Sequence, residues 1–241
     1  MVSCLLVLCK ALFTLFLSGR LTLRQIPSDW ANELCEQVDE SDTTWSLLAQ
    51  TAAFRRATEL SELDLGFWLD QGAQLAHCQP DDPRAQLIRH ASGLLSPGPS
   101  LAPEQREFVR LYLPLLMASA DKPVVVAHLG QSIDAKIATD AGDSYYVTGR
   151  ENLRHLHRMR ALCDAIIVGA GTVLADNPRL TTRLVEGPNP VRVVIDPARR
   201  LDLSHSIFTD QEAQTLRVCA PSGTASQMID EHDVVVTVDE N

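Results

Sequence analysis

Apolar residues along this chain change their spacing near residue 121. Before that point they recur at helical intervals. Trp45, Leu48, Ala52 and Leu60 fall on one face, and Phe108, Leu111, Tyr112 and Leu115 on another. Beyond it they gather into short β-branched runs at Val124–Leu129, Ala165–Val168, Val191–Ile195, Leu216–Ala220 and Val234–Val238. The first two runs end in glycine turns, Gly130 and Gly169-Ala170-Gly171, and about 35 residues with a helical stretch lie between them. Repeated βα units of this kind build an α/β sheet, in which ligands sit beyond the carboxyl ends of the strands. The Val124–Leu129 run lacks polar alternation, which predicts burial on both faces.

The segment before residue 121 reads as helices joined by turns. A helix is expected from Thr43. A second, short one is expected over Ser61–Leu69, with Leu65, Phe67, Trp68 and Leu69 as its apolar residues. Pro103 stands where a first helical residue belongs, and Pro114 is expected to kink or end the helix that follows. Gln79–Pro83 and Ser96–Ser100 have loop composition. Residues 1–17 are strongly apolar, but Lys10 interrupts them and no positive side chain opens them. A leader-like segment or packed helix fits this pattern better than a secretory signal or a membrane-surface segment. The expected division is therefore 1–26 leader-like, 27–120 helical, and 121–241 α/β.

Composition narrows the function classes. Hydrophobic residues make up 45% of the 241 and charged residues 22%, as in an ordinary globular protein. The net charge of −10 supplies no basic field for phosphate backbones, so nucleic acid is not an expected partner, and neither is a membrane. The six cysteines form no C-x-x-C pair, and no H-x-E is followed by P-C-x-x-C, so zinc deaminase chemistry is not expected. Scattered single cysteines suit buried thiols in a reducing cytoplasm.

Chemistry concentrates after residue 121. Ser132, Asp134 and Lys136 share the loop after the first strand. Thr148-Gly149-Arg150-Glu151 has the pattern of a capping box and should start a helix. Leu153, Leu156, Met159 and Cys163 supply that helix's buried stripe. Arg150, Arg154, Arg158, Arg160, His155 and His157 line its other faces. Such a cluster is either a solvated helix face or a set from which an arginine binds an anionic substrate. The Gly169–Thr172 turn offers backbone N–H groups at a helix start, but lacks the third glycine of a dinucleotide fingerprint and the lysine of a P-loop. His77, Cys78 and His90 match no metal-ligand spacing.

Several of these residues occur together in one order: Gly130-x-Ser132-x-Asp134, Gly142-x-Ser144, Arg160, and Gly171-Thr172-x-x-x-Asp176-x-Pro178-x-Leu180-Thr181-x-Arg183. In that combination the chain resembles the riboflavin-biosynthesis pyrimidine reductases, whose domain has a dihydrofolate-reductase-like α/β fold. The resemblance implies NADPH as cofactor, with Gly130, Thr172 and Asp176 at cofactor-contacting positions. Tyr146 stands where the family has Trp. It also implies that Ser144, Arg160, Leu180 and Arg183 hold the phosphoribosylaminopyrimidine, the arginines suiting its 5′-phosphate. Ala135 replaces the usual glycine of that turn, and Asn177 a common Asp.

The implied reaction is reduction of the ribosyl unit of 5-amino-6-(5-phosphoribosylamino)uracil to the ribityl form by a cytoplasmic enzyme, as a homodimer. No catalytic residue is assigned, since Asp134 and Lys136 serve equally as a salt-bridged turn. The family's acidic residue and glycine-rich closing loop have no counterpart before Asn241, so a truncated, weak or inactive reductase is expected. The alternatives are a non-catalytic remnant or interaction module, and a reductase acting on another pyrimidine or a pterin.

Overall fold

The computed structural model describes residues 5–9, 43–57, 65–119, 122–130, 134, 136, 150–221 and 233–235. In chain order they form β1 (Leu5–Cys9), α1 (Thr43–Ala57), β2 (Leu65–Leu69), β3 (Leu75–Cys78), β4 (Leu87–Arg89), β5 (Leu95–Pro97), α2 (Pro103–Leu116) and β6 (Val124–His128). Then follow α3 (Arg150–Leu162), β7 (Ala165–Gly169), α4 (Ala170–Asp176), β8 (Val191–Ile195), α5 (Ser206–Thr209), β9 (Thr215–Cys219) and β10 (Asp233–Val235). No helix among the described residues is long and apolar enough to cross a membrane.

The larger sheet has the order β10-β9-β8-β7-β1-β6. β7, β8, β9 and β10 pair in parallel. β1 pairs antiparallel with both β7 and β6, so these two strands point the same way with one strand between them. The apolar run at the chain's start thus includes a sheet strand over Leu5–Cys9, where a packed helix had been one of the expectations. Among the described residues β6 stands at the sheet's edge. Val124, Val125 and Val126 are therefore half-buried and Ala127 exposed, not buried on both faces as the pattern predicted.

A second, four-stranded antiparallel sheet, β3-β2-β4-β5, lies within the segment expected to be helical. The helix predicted over Ser61–Leu69 is strand β2 from Leu65 onward, and residues 61–64 lie outside the described residues. Phe67 and Leu69 alternate into the core while Trp68 turns outward beneath Arg84, whose guanidinium carbon lies 4.6 Å from the ring centre. Asp70 makes the β2–β3 turn: its Oδ1 accepts from the N–H groups of Gly72 and Gln74, both at 2.9 Å.

α1 buries Trp45, Leu48 and Ala52 as the spacing predicts; Leu60 lies outside the described residues. α2 starts at Pro103 and runs through Pro114 for two further residues, so the proline sits in its last turn without breaking it. The cores of the two sheets are continuous: Leu47, Phe67, Phe108 and Tyr112 belong to one buried cluster with Met159, Ile166 and Val194. α3 lies in the middle of this packing. The basic face, read from the sequence as either solvated or anion-binding, is largely covered: His155, His157 and Arg158 are buried, and Arg154 and Arg160 half-buried.

Candidate active site

An α-helix turns by about 100° per residue, so side chains two apart point to nearly opposite sides. On α3 this separates two pairs. His155 and Arg158 face α2 and α1. The Tyr112 hydroxyl lies 2.8 Å from His155 Nδ1, and the Arg158 guanidinium carbon lies 4.7 Å from the Phe108 ring centre and 5.7 Å from that of Trp45. His157 and Arg160 face the 177–190 segment that joins α4 to β8.

Arg160 Nη1 donates to the Thr181 carbonyl at 3.0 Å. Arg183 Nη1 donates to Thr181 Oγ1 at 3.1 Å, and Thr181 itself is fully buried. Two guanidinium groups therefore converge on one buried threonine. Among the described residues, neither lies within ion-pair distance of a carboxylate. Arg160 Nε is also buried without a hydrogen-bond partner. Burial, and then the charge of Arg183, push the Arg160 pKa down to about 10. It remains charged at neutral pH, and no carboxylate among the described residues compensates the site's positive charge.

The geometry of this segment is held from α3. The backbone N–H groups of Arg183 and Leu184 donate to His157 Nδ1 at 2.8 and 3.4 Å. An N–H can only donate, so Nδ1 must be unprotonated. Burial pushes the His157 pKa down to about 4, helped by the charges of Arg160 and Arg183. Gly187 lies against the same helix with φ +147°, and a Cβ there would stand 2.5 Å from that of Ala161, so only glycine fits.

Asn189 ties the segment's far end, accepting from Thr182 N–H at 2.7 Å and donating to the Glu212 carbonyl at 2.9 Å. Leu180 is buried in a left-handed conformation, φ 57°, which a leucine adopts at a cost of about 1–3 kcal/mol and only where its surroundings impose it.

The structure thus brings Arg160, Leu180 and Arg183 together around Thr181. Thr172 and Asp176, both half-buried, lie one turn apart on α4, the helix that leads into this segment. The positions a Cβ would take at Gly169 and Gly171 have no described atom within 4 Å. Gly130 follows the end of β6. His128 of β6 and Ile167 of β7 pair with the neighbouring residues Leu5 and Leu6, so both carboxyl ends lie at one sheet edge, about 10 Å apart across β1. Ser144 and Tyr146 lie outside the described residues, and Asp134 and Lys136 are exposed.

Sequence reasoning quoted Thr181 in the motif but gave it no role, and did not single out the pairing of His128 Nε2 with Asn152 Oδ1 at 2.9 Å. Burial lowers the His128 pKa, Asn152 opposes this, and Arg160 adds to it. His157 had been grouped with the basic face; its spacing of three residues from Arg160 was the available signal. His77 packs on Phe54 and Phe67, and His90 Nε2 lies 2.9 Å from Ser96 Oγ.

Residues 123–240 match the family model of the RibD C-terminal domain. Over 120 residues the chain is 39% identical to a 2,5-diamino-6-ribosylamino-4(3H)-pyrimidinone 5′-phosphate reductase of Methanothermobacter thermautotrophicus, covering 48% of this chain and 55% of that one. A protein of the same name from Archaeoglobus fulgidus is 41% identical over 105 residues, covering 39% of this chain and 48% of the other. The chain therefore spans about half the length of these curated relatives. A solved structure titled a diaminohydroxyphosphoribosylaminopyrimidine deaminase/5-amino-6-(5-phosphoribosylamino)uracil reductase, from Thermotoga maritima, shares 34% identity. It covers 46% of this chain and 31% of that one, with a TM-score of 0.38.

Proposed function

We propose that the RibD C-terminal domain of this chain reduces the ribosyl unit of a 5′-phosphorylated ribosylaminopyrimidine to a ribityl chain, with NADPH as the reductant. The observation that carries this reading is the pair Arg160 and Arg183, converging on Thr181 with no carboxylate among the described residues to discharge them. Two guanidinium forks at one point suit a phosphate, to which each can donate two hydrogen bonds. The family match and the names of the relatives support a pyrimidine as the rest of the substrate.

The residues present fit the cofactor as well. Among the described residues nothing fills the space where side chains would stand at the glycine turn between β7 and α4, which permits close approach of a ligand to the backbone. Gly130, Tyr146, Thr172 and Asp176 are assigned to NADPH, and Ser144, Arg160, Leu180 and Arg183 to the pyrimidine. When bound, NADPH supplies the hydride. The chain's own part is to fix the substrate by its phosphate. His157 holds the backbone of Arg183, and Arg160 holds that of Thr181, so the two phosphate donors keep a fixed separation. Such preorganisation lowers the entropic barrier to aligning the reacting carbon.

The base carries two options. 5-Amino-6-(5-phosphoribosylamino)uracil is the substrate implied by the first resemblance. The 2,5-diamino-4(3H)-pyrimidinone analogue is favoured by the names of the two archaeal relatives. A cytoplasmic homodimer completes the proposal. The test is NADPH oxidation by the purified chain with each pyrimidine in turn, with product read as the ribityl compound. Oxidation dependent on either substrate supports the reading. NADPH binding without turnover on either would overturn the assigned activity while leaving the cofactor site.

A further inference from the structure

We propose that residues 43–119 serve the anion site as a positioning module, with Trp45 as the residue that reaches it. This inference rests on the reading of Arg160 and Arg183 as the phosphate site. The segment between α4 and β8 is 14 residues long, 177–190, and contains no regular element. One side of it is held by His157 and Arg160 of α3. The other is held from the first half of the chain: the indole Nε1–H of Trp45 donates to the Glu186 carbonyl at 3.1 Å, three residues beyond Arg183.

Trp45 is itself firmly placed. It is 8% exposed, and its ring meets Tyr112 edge-on at 6.0 Å. Its other neighbour, Arg158, is buried with Nε and Nη1 unpartnered, so the aromatic faces of Trp45 and Phe108 are what that cation has in exchange for water. The same module grips the end of α3. Arg56 donates to the carbonyls of Ala161 and Cys163 at 3.3 and 3.2 Å and pairs with Asp164 at 3.4 Å. A cation among the last carbonyls of a helix stabilises that end.

α3 is therefore fixed on one side by α1 and α2, and offers His157 and Arg160 on the other. The phosphate-binding segment is held both from α3 and from Trp45. The first half of the chain needs no ligand of its own to serve this purpose. It sets where Arg183 stands.

The test uses the full 241-residue chain with Trp45→Phe, which keeps an aromatic ring beside Tyr112 and removes the N–H together with part of the indole. Losing one neutral hydrogen bond corresponds to about a fivefold change in an equilibrium constant. The expected result is a rise of about fivefold in KM for the pyrimidine and in Kd for inorganic phosphate, with kcat changed by less than about twofold and NADPH affinity unchanged. Trypsin should also cut after Arg183 faster than in the parent.

Phe67→Leu, in the core of the small sheet and remote from the segment, is the comparison. It should lower the melting temperature at least as far without moving KM, phosphate affinity or the Arg183 cleavage rate. Unchanged cleavage and phosphate affinity in Trp45→Phe would overturn the inference, as would equal changes in Phe67→Leu. Arg183→Ala separates the two levels. If it weakens phosphate binding while Trp45→Phe does not, only the positioning role fails. If Arg183→Ala leaves phosphate binding unchanged, the phosphate reading fails and this inference falls with it.

Discussion

Removing either guanidinium should weaken substrate binding without slowing the chemistry. A charge-assisted hydrogen bond is worth about 1.5–3 kcal/mol, and each 1.4 kcal/mol is tenfold in affinity, so one lost arginine corresponds to about a 10- to 100-fold rise in KM. Arg160 belongs at the upper end because it is largely buried, where charges are less screened. Arg183 is exposed and belongs at the lower end, more so at high salt.

The two variants should also differ in stability. Arg160→Ala leaves the carbonyl of fully buried Thr181 without its donor, a cost of about 1–3 kcal/mol, whereas Arg183→Ala gives up a contact made from the surface. Both groups act on one anion, so the double variant should lose less than the product of the single losses. The assay is steady-state NADPH oxidation at saturating cofactor, at low and high salt, with thermal melts alongside. A rise in KM below about twofold for both variants, or a fall in kcat at constant KM, would refute the reasoning.

Three further outcomes follow from the same geometry. His157 takes up its proton near pH 6.5 when unfolded but only at about pH 4 in the fold, so its contribution to stability is complete above pH 6.5 and is lost as pH falls towards 4. His128 and His155 are shifted the same way, and His157→Gln should remove up to one proton from the slope of the urea midpoint against pH; an unaltered slope would contradict the assignment. Tyr112→Phe leaves His155 Nδ1 buried without that partner and should cost about 1–3 kcal/mol, a fall of about 2–10 °C in a calorimetric melt. Asp210 pairs with Arg192, which is 1% exposed, through contacts of 2.8 and 2.9 Å; Asp210→Ala strands that cation and should cost about 3–5 kcal/mol in urea unfolding, so a loss below about 1 kcal/mol would show the pair to be incidental.

The parts of the fold legible in the sequence are those whose signal is local. The β7 run and the glycine turn into α4 are visible because β-branched residues and glycines specify them within a dozen positions. α2 is visible from Pro103 and the spacing of Phe108, Leu111, Tyr112 and Leu115. The small sheet was missed because β2 to β5 are only three to five residues long, too short to establish a period, and Leu65–Leu69 carries apolar residues at both strand and helix spacings. Gly66 and the Asp70 turn were the signals against a helix. β1 was missed for a different reason: its strand state exists only through pairing with β6 and β7, which lie over a hundred residues away.

The candidate site divides in the same way. Arg160, Leu180 and Arg183 were read from their order along the chain. Their meeting at Thr181, and the hold of His157 on Arg183, depend on a segment folding back onto α3. The covered basic face of α3 follows from tertiary packing, because the charge pattern of a helix does not say which neighbour lies over it.

The most direct test of the account is a fluorescence titration of the purified 241-residue chain with NADPH, followed by addition of the phosphorylated ribosylaminopyrimidine. Saturable binding, then oxidation of one NADPH for each ribityl product formed, is the expected result, with inorganic phosphate competing against the pyrimidine through Arg160 and Arg183. Binding of neither NADPH nor phosphate would contradict it, and would leave residues 123–240 as a scaffold without the reductase chemistry.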